Sequence, residues 1–239
     1  MGRFRRTLFV VLVTFGIALC HMGDRLFAQA MPDLNGLWDG ASNSSNLVQA
    51  MKAQGKDIPF TAHAIQRLKE VDMAKNPNGY CLPPGPSRAI TGPSPFQIVQ
   101  SKDVVAILFE NHFVYRLIYA DGTKHPDDIQ EYTTFMGHSI GHWEGDTLVV
   151  DTAGINDKTW LDSNGMEHSD KLHLTERFRR TGPDSAKYSV TYEDPVFFTK
   201  PWTFDLDLKR VKGTRILEYV CEENEKDLKS LRPTPRSQQ

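Results

Sequence analysis

The sequence predicts an all-β protein whose antiparallel strands close into a barrel, and three observations carry that prediction. Short runs rich in β-branched and aromatic residues follow one another from Phe96 to Cys221. Turn residues such as Asp121-Gly122 and Glu144-Gly145-Asp146 separate them. Two of the runs alternate with period two: Tyr188, Val190 and Tyr192 share one face, and Trp202, Phe204, Leu206 and Leu208 share another, opposite Asp205 and Asp207. A meander of short strands removes its exposed edges by closing on itself, so a barrel is expected, with a β-sandwich as the alternative.

In chain order, Arg3, Arg5 and Arg6 precede a short apolar run, Thr7 to Cys20, and Ala28-Gln29-Ala30 places small residues where a signal peptidase reads. The run is too short to span a bilayer stably. Leu19 also stands where a lipoprotein box needs a small residue before Cys20. Residues 1–30 therefore read as a signal peptide and residues 31–224 as a single barrel domain. Residues 225–239, rich in Lys, Arg, Pro, Ser and Gln, read as a loose tail. The leader carries four basic residues and one acidic residue, so the mature chain keeps 24 basic and 29 acidic side chains, a net charge of −5. That balance offers no footprint for nucleic acid or for an anionic membrane. Cys81 and Cys221 form an even pair in an exported chain and are expected to form a disulfide, with two free thiols as the alternative. Closing a loop of that length contributes several kcal/mol on chain-entropy grounds.

Asn35-Gly36-Leu37-Trp38 opens the mature region. Gly-x-Trp at the start of a strand resembles the opening of lipocalin-type ligand-binding barrels, which implies a lipocalin-like (calycin-type) barrel. Thr61 to Ala74 fits one short helix capped by Thr61. Residues 76–95 hold six prolines, which exclude helix there and make a central strand unlikely on the same grounds. Strands are expected at Phe96–Gln100, Val104–Glu110, Phe113–Tyr119, Ser139–Trp143, Thr147–Thr152, Leu172–Arg179, Lys187–Tyr192, Trp202–Leu208 and Arg215–Cys221.

Several blocks stand out together: CLPPG (Cys81–Gly85), DGTKHP (Asp121–Pro126), GHSIGHWEGDTLVVDT (Gly137–Thr152), NDKTWLD (Asn156–Asp162), HSDKLHLTERFRR (His168–Arg180) and EYVCEEN (Glu218–Asn224). They resemble a widespread group of uncharacterised secreted bacterial proteins and cover nearly all of the mature chain. The resemblance implies export. It brings no activity and no cofactor.

Chemistry-bearing residues concentrate between Gly137 and Phe178, which hold four of the seven histidines outside the leader, two of the four tryptophans and eight carboxylates. Acid–base catalysis needs a histidine beside a carboxylate, and His138 and His173 with Asp151 or Glu176 supply the candidates. Glu176 shares a face with Leu172, Leu174 and Phe178, so it is either a desolvated acid or the partner of a cation such as Arg116 or Lys200. Arg116, His125, Asn156, Lys158, Trp160, Asp162, His168 and Trp202 are the candidate ligand-binding residues around a small-molecule pocket, together with Trp143, Tyr115 and Tyr119. The mouth of that pocket is expected in residues 137–178.

Metal binding by His138, His168 and His173 is a second reading. His138 and His142 are not expected to share an ion, since four extended residues separate them by roughly 13 Å. Gly137-His138-Ser139-Ile140-Gly141 has the letters of an esterase elbow without its strand–turn–helix context. No nucleotide cofactor is implied, because no Gly-rich phosphate loop is present. The preferred function is binding of a small organic molecule by an exported, periplasmic or secreted barrel, with lyase, isomerase or hydrolase chemistry as its enzymatic form. A metal-dependent enzyme and a non-catalytic structural or interaction protein are the alternatives. Mass spectrometry of the exported chain is expected to find an N-terminus at Met31; a chain still beginning at Met1 contradicts the leader.

Overall fold

The computed structural model describes residues 32–40 and 45–221. The expected signal peptide and C-terminal tail lie outside the described residues. Nine strands close into one barrel in chain order: β1 (Gly36–Asp39), β2 (Phe96–Gln100), β3 (Val104–Phe109), β4 (Tyr115–Tyr119), β5 (His138–Glu144), β6 (Thr147–Ala153), β7 (His173–Gly182), β8 (Ser185–Glu193) and β9 (Trp202–Arg210). β1 completes the circuit by pairing with β9, Trp38 opposite Arg210. The all-β, lipocalin-like barrel is the fold.

One seam departs from the expected antiparallel meander. β4 and β5 run parallel, with Ile118 opposite Ser139 and Tyr119 opposite Ile140. A parallel pair needs a long crossover rather than a tight turn, and residues 120–137 supply it. The β5–β6 hairpin, by contrast, turns on Gly145-Asp146, and Gly145 takes a φ of +61°.

The expected strand at Arg215–Cys221 does not form. The barrel is already closed by β9, so this segment has no free sheet edge to join. It is held instead by the Leu217 N–H, which donates to Glu110 at 3.0 Å, and by the Cys81–Cys221 disulfide, with Cα atoms 5.8 Å apart.

Three α-helices are present among the described residues where one was expected: α1 (Leu47–Ala53), α2 (Ala62–Lys69) and α3 (Pro86–Thr91). Thr61 caps α2 by accepting from the Ala64 N–H at 3.1 Å. α2 ends at Lys69, and Asp72 caps a separate 3-10 turn over Met73–Lys75. α3 overturns the exclusion of helix from residues 76–95. Proline forbids a helix interior but suits its first turn, where an N–H has no partner, and Pro86 stands there. Pro77 does the same for the 3-10 turn Pro77–Tyr80.

Side chains fill the barrel, as small barrels require. Trp38, Phe96, Phe178, Tyr188, Tyr192 and Phe204 are all buried, and Trp202 stacks on Tyr192 with ring centroids 4.2 Å apart. α3 contributes Ile90 to this core, and its Ser87 hydroxyl bonds the Tyr192 hydroxyl at 2.6 Å.

A polar network threads the apolar interior. Five successive strands each place one polar side chain inward: Arg116 (β4), Ser139 (β5), Thr152 (β6), Glu176 (β7) and Tyr188 (β8). Arg116 donates from Nε to Ser139 (2.8 Å), from Nη1 to Glu176 Oε1 (2.9 Å), and from Nη2 to Thr152 (2.5 Å) and Glu176 Oε2. The Tyr188 hydroxyl donates to Glu176 Oε1 at 2.8 Å. Burial acts to lower the Arg116 pKa, but the Glu176 carboxylate outweighs it and the guanidinium stays firmly charged. Arg116 also spans the short parallel seam, because Ser139 lies across it.

Truncating one partner of such a pair leaves a bare buried charge. Arg116→Met is therefore expected to cost about 3–5 kcal/mol in urea unfolding, and Arg116→Met with Glu176→Leu to recover most of it; a double variant as unstable as the single one contradicts the pairing. Denatured, unreduced mature protein is expected to show no reactive thiol toward a labelling reagent, whereas two reactive thiols contradict the bridge.

Candidate functional site

Residues next to the inward network point the other way. In β5 Ser139 faces in and His138 out; in β6 Thr152 faces in and Asp151 out; in β7 Leu174 faces in and His173 out. The register sets Ile140 opposite Asp151 and Asp151 opposite Thr175, which brings the three outward side chains together at one end of β5–β7. His125 reaches them from the crossover between β4 and β5. Gly137 admits the chain into β5 with a φ of +66°; a Cβ there would stand 2.7 Å from Ile155 Cγ1 and 2.8 Å from the Ala153 carbonyl oxygen.

Asp151 is the centre of the cluster. Its Oδ1 lies 2.7 Å from His125 Nε2 and its Oδ2 2.9 Å from His173 Nε2. His125 Nδ1 lies 2.8 Å from His138 Nδ1, and the His138 ring stacks on Tyr119 at 5.6 Å. An ionised carboxylate only accepts hydrogen bonds, so His125 and His173 each present Nε2–H to Asp151. With Nε2 protonated, a neutral His125 accepts at Nδ1 from the His138 Nδ1–H; a charged His125 donates to it instead. The four groups thus form one chain, His173–Asp151–His125–His138. Its ends, His173 Nδ1 and His138 Nε2, carry no hydrogen bond among the described residues.

The environment drives the two end histidines apart. The hydrogen bond to Asp151 raises the His173 pKa against the opposing effect of burial. Burial lowers the His138 pKa, helped by the charge of His125. Burial works to raise the Asp151 pKa, but hydrogen bonds from His173 and His125 outweigh it and the carboxyl falls below its usual range. Paired titratable groups pushed in opposite directions are what acid–base chemistry uses.

The other candidates divide. Glu176 lies inside the barrel against Arg116, taking the ion-pair alternative and leaving the acid–base set. Ser139 lies mid-strand as an acceptor for Arg116 and has no elbow around it. His168 is buried, with Nε2 2.6 Å from the Thr159 hydroxyl and Nδ1 2.9 Å from the Ser169 carbonyl, so both its ring nitrogens are engaged. The trio His138, His168 and His173 is therefore not assembled, and among the described residues no group of three or more His, Cys, Asp or Glu is arranged to hold a metal ion.

The Asn156–Asp162 loop, expected to gather ligand-binding groups, is held by hydrogen bonds to the backbone. Asp162 accepts from the backbone N–H groups of Leu47 (3.1 Å), Asn164 (2.9 Å) and Met166 (3.1 Å), pinning α1 to the loop. Asn156 accepts from the Lys158 N–H at 3.1 Å, while the Lys158 side chain is exposed. Trp160 is buried beside His168 around a void of about 10 Å³, room for one water rather than an organic ligand. Trp202 belongs to the core. His125, expected as a ligand-binding residue, is instead the link between His138 and Asp151. Tyr119, named among the candidate pocket aromatics, supplies a ring face to His138.

A comparison with protein-family models gives no match, and a comparison with curated proteins gives none either. No helix among the described residues is long and apolar enough to cross a membrane.

The linkage signs follow from these directions. His173 contributes stability that is complete below its unfolded pKa of about 6.5 and is lost as pH rises through its raised folded value. Asp151 contributes stability that is complete above about 3.9 and is lost as pH falls through its lowered folded value. The Asp151–His173 link is at full strength between those two unfolded values. In a ring-proton NMR titration His173 is expected to titrate at higher pH than His138, and Asp151→Asn to bring His173 down; coincident midpoints in the unmutated protein contradict the linkage.

Proposed function

We propose that this is an exported barrel protein that binds a small organic molecule at the outer wall beside Tyr119 and His138 and moves a proton on it. Two residues do the chemistry. His138, neutral and with its proton on the Nδ1 that faces His125, is the base, accepting at Nε2, the end of the relay that has no partner among the described residues. Charged His173 is the acid, and Asp151 orients it and stabilises its charge. His125 carries the connection between them. Tyr119 offers an aromatic face against which a planar substrate can lie.

The observation that carries the reading is the hydrogen-bonded chain His173–Asp151–His125–His138, whose surroundings favour the charged form of His173 and the neutral form of His138. Between a lowered and a raised histidine pKa both groups hold the protonation state that their roles need. An isomerase, lyase or hydrolase without a nucleotide cofactor matches this equipment. The disulfide is compatible with a periplasmic or extracellular setting.

Thermal-shift screening of the mature protein against a small-metabolite collection, repeated with His138→Ala and His173→Ala, tests the proposal. A stabilising compound is expected whose effect falls in both variants. If it is turned over, kcat/KM is expected to be bell-shaped, with its limbs set by the two histidines. A compound whose stabilisation survives both substitutions displaces the site to another part of the molecule.

A further inference from the structure

α3 carries a buried cation without a counter-charge. Arg88 is 6 % exposed, and its only side-chain hydrogen bond among the described residues runs from Nη1 to Asn76 Oδ1 at 3.0 Å. No carboxylate lies within ion-pair distance of it among the described residues. The acid whose field it feels, Asp162, is committed to three backbone N–H groups. Isolated buried charges are costly and are ordinarily paired or bound to something. Arg116, the other buried arginine, obeys that rule through Glu176. Arg88 does not.

What Arg88 faces instead is a cavity of about 180 Å³. Asn78, Pro84, Pro93, Pro95 and Phe109 line it with Arg88. The Asn78 Oδ1 atom is buried and has no hydrogen-bond donor. The space far exceeds the ~10–15 Å³ that one water needs, and it falls below the ~300 Å³ at which drug-sized pockets begin. An occupant must therefore be small. It must offer negative charge to a planar fork, a donor to Asn78 and an apolar body to the prolines and Phe109.

We infer that this cavity is a binding site for a small organic carboxylate that also carries a hydroxyl or amino donor. The carboxylate accepts from the guanidinium donors of Arg88 that the protein leaves unused, in the side-by-side geometry arginine favours. The donor satisfies Asn78. A single negative charge balances the single guanidinium, whereas a phosphate dianion would leave one charge buried and uncompensated between proline walls. Burial has drawn the Arg88 pKa down to about 10, as expected of a guanidinium waiting for its anion. The site shares no residue with the histidine relay and stands whether or not that relay is catalytic.

The probes are L-lactate and 4-hydroxybenzoate, with 4-hydroxybenzamide and inorganic phosphate as controls, read by thermal shift and by NMR of the Arg88 Nε–H and the Asn78 side-chain amide. At least one carboxylate is expected to raise Tm at millimolar concentration and to move both NMR signals. Arg88→Lys is expected to weaken binding roughly tenfold, since it keeps the charge and loses the fork, and Arg88→Gln to abolish it. The unmutated protein supplies the NMR readout even if a variant folds poorly. Silence of both signals with both carboxylates, equal binding of the neutral amide, or binding of phosphate alone would overturn the assignment.

Discussion

The Arg116–Glu176 pair is the constraint on which the rest of the barrel depends. Closing nine short strands leaves two seams of only two residue pairs each, β1–β9 and the parallel β4–β5 junction. Arg116 reaches across the parallel seam to Ser139 and onward to Thr152 and Glu176, and Tyr188 completes the set from β8. Each polar atom in the network has a partner, which is the condition under which buried charge is tolerated in an apolar interior. The pair fixes which residues of β5, β6 and β7 face inward. A one-residue slip in any of those strands would bring an outward residue against the guanidinium.

The outward cluster follows from the same constraint. Because Ser139 and Thr152 must face Arg116, His138 and Asp151 must face out, and His173 is carried alongside them by the β6–β7 register, which sets Asp151 opposite Thr175. One pleat therefore supports two polar systems of opposite character. The inner one is enclosed, saturated and structural. The outer one is half-buried and ends in two ring nitrogens that have no partner among the described residues. Rigid strands hold three of its four members, and the crossover brings the fourth, which is the kind of support a proton-transfer site needs.

Much of the fold was legible because period two is a strong signal where strands are half-buried. β2, β6, β8 and β9 fall within a few residues of their expected bounds, and the disulfide joins the two cysteines that lie outside the expected leader. Proline misled in one place. Density of prolines argued against helix over residues 76–95, while Pro77 and Pro86 in fact initiate short helical turns, a distinction that depends on position rather than count. Arg215–Cys221 has strand composition but no edge to pair with, and edge availability is a property of the closed sheet alone.

The site was legible in its strand-borne half. His138, Asp151 and His173 were named as acid–base candidates, and alternation places them on one face. Glu176 shares the composition of that group but has the opposite parity from His173, so it turns inward. His168 and Asp162 sit in a loop, where periodicity gives no direction, and both proved to be structural hydrogen-bond partners. The place of His125 between His138 and Asp151 was not legible for the same reason, since its crossover obeys no repeat. The most direct measurement on the whole arrangement is long-range ¹⁵N–¹H NMR of the histidine rings at a pH where they are neutral. If Asp151 bridges the relay, His125 and His173 both carry their proton on Nε2. A His173 found protonated on Nδ1 alone contradicts the bridge and, with it, the site.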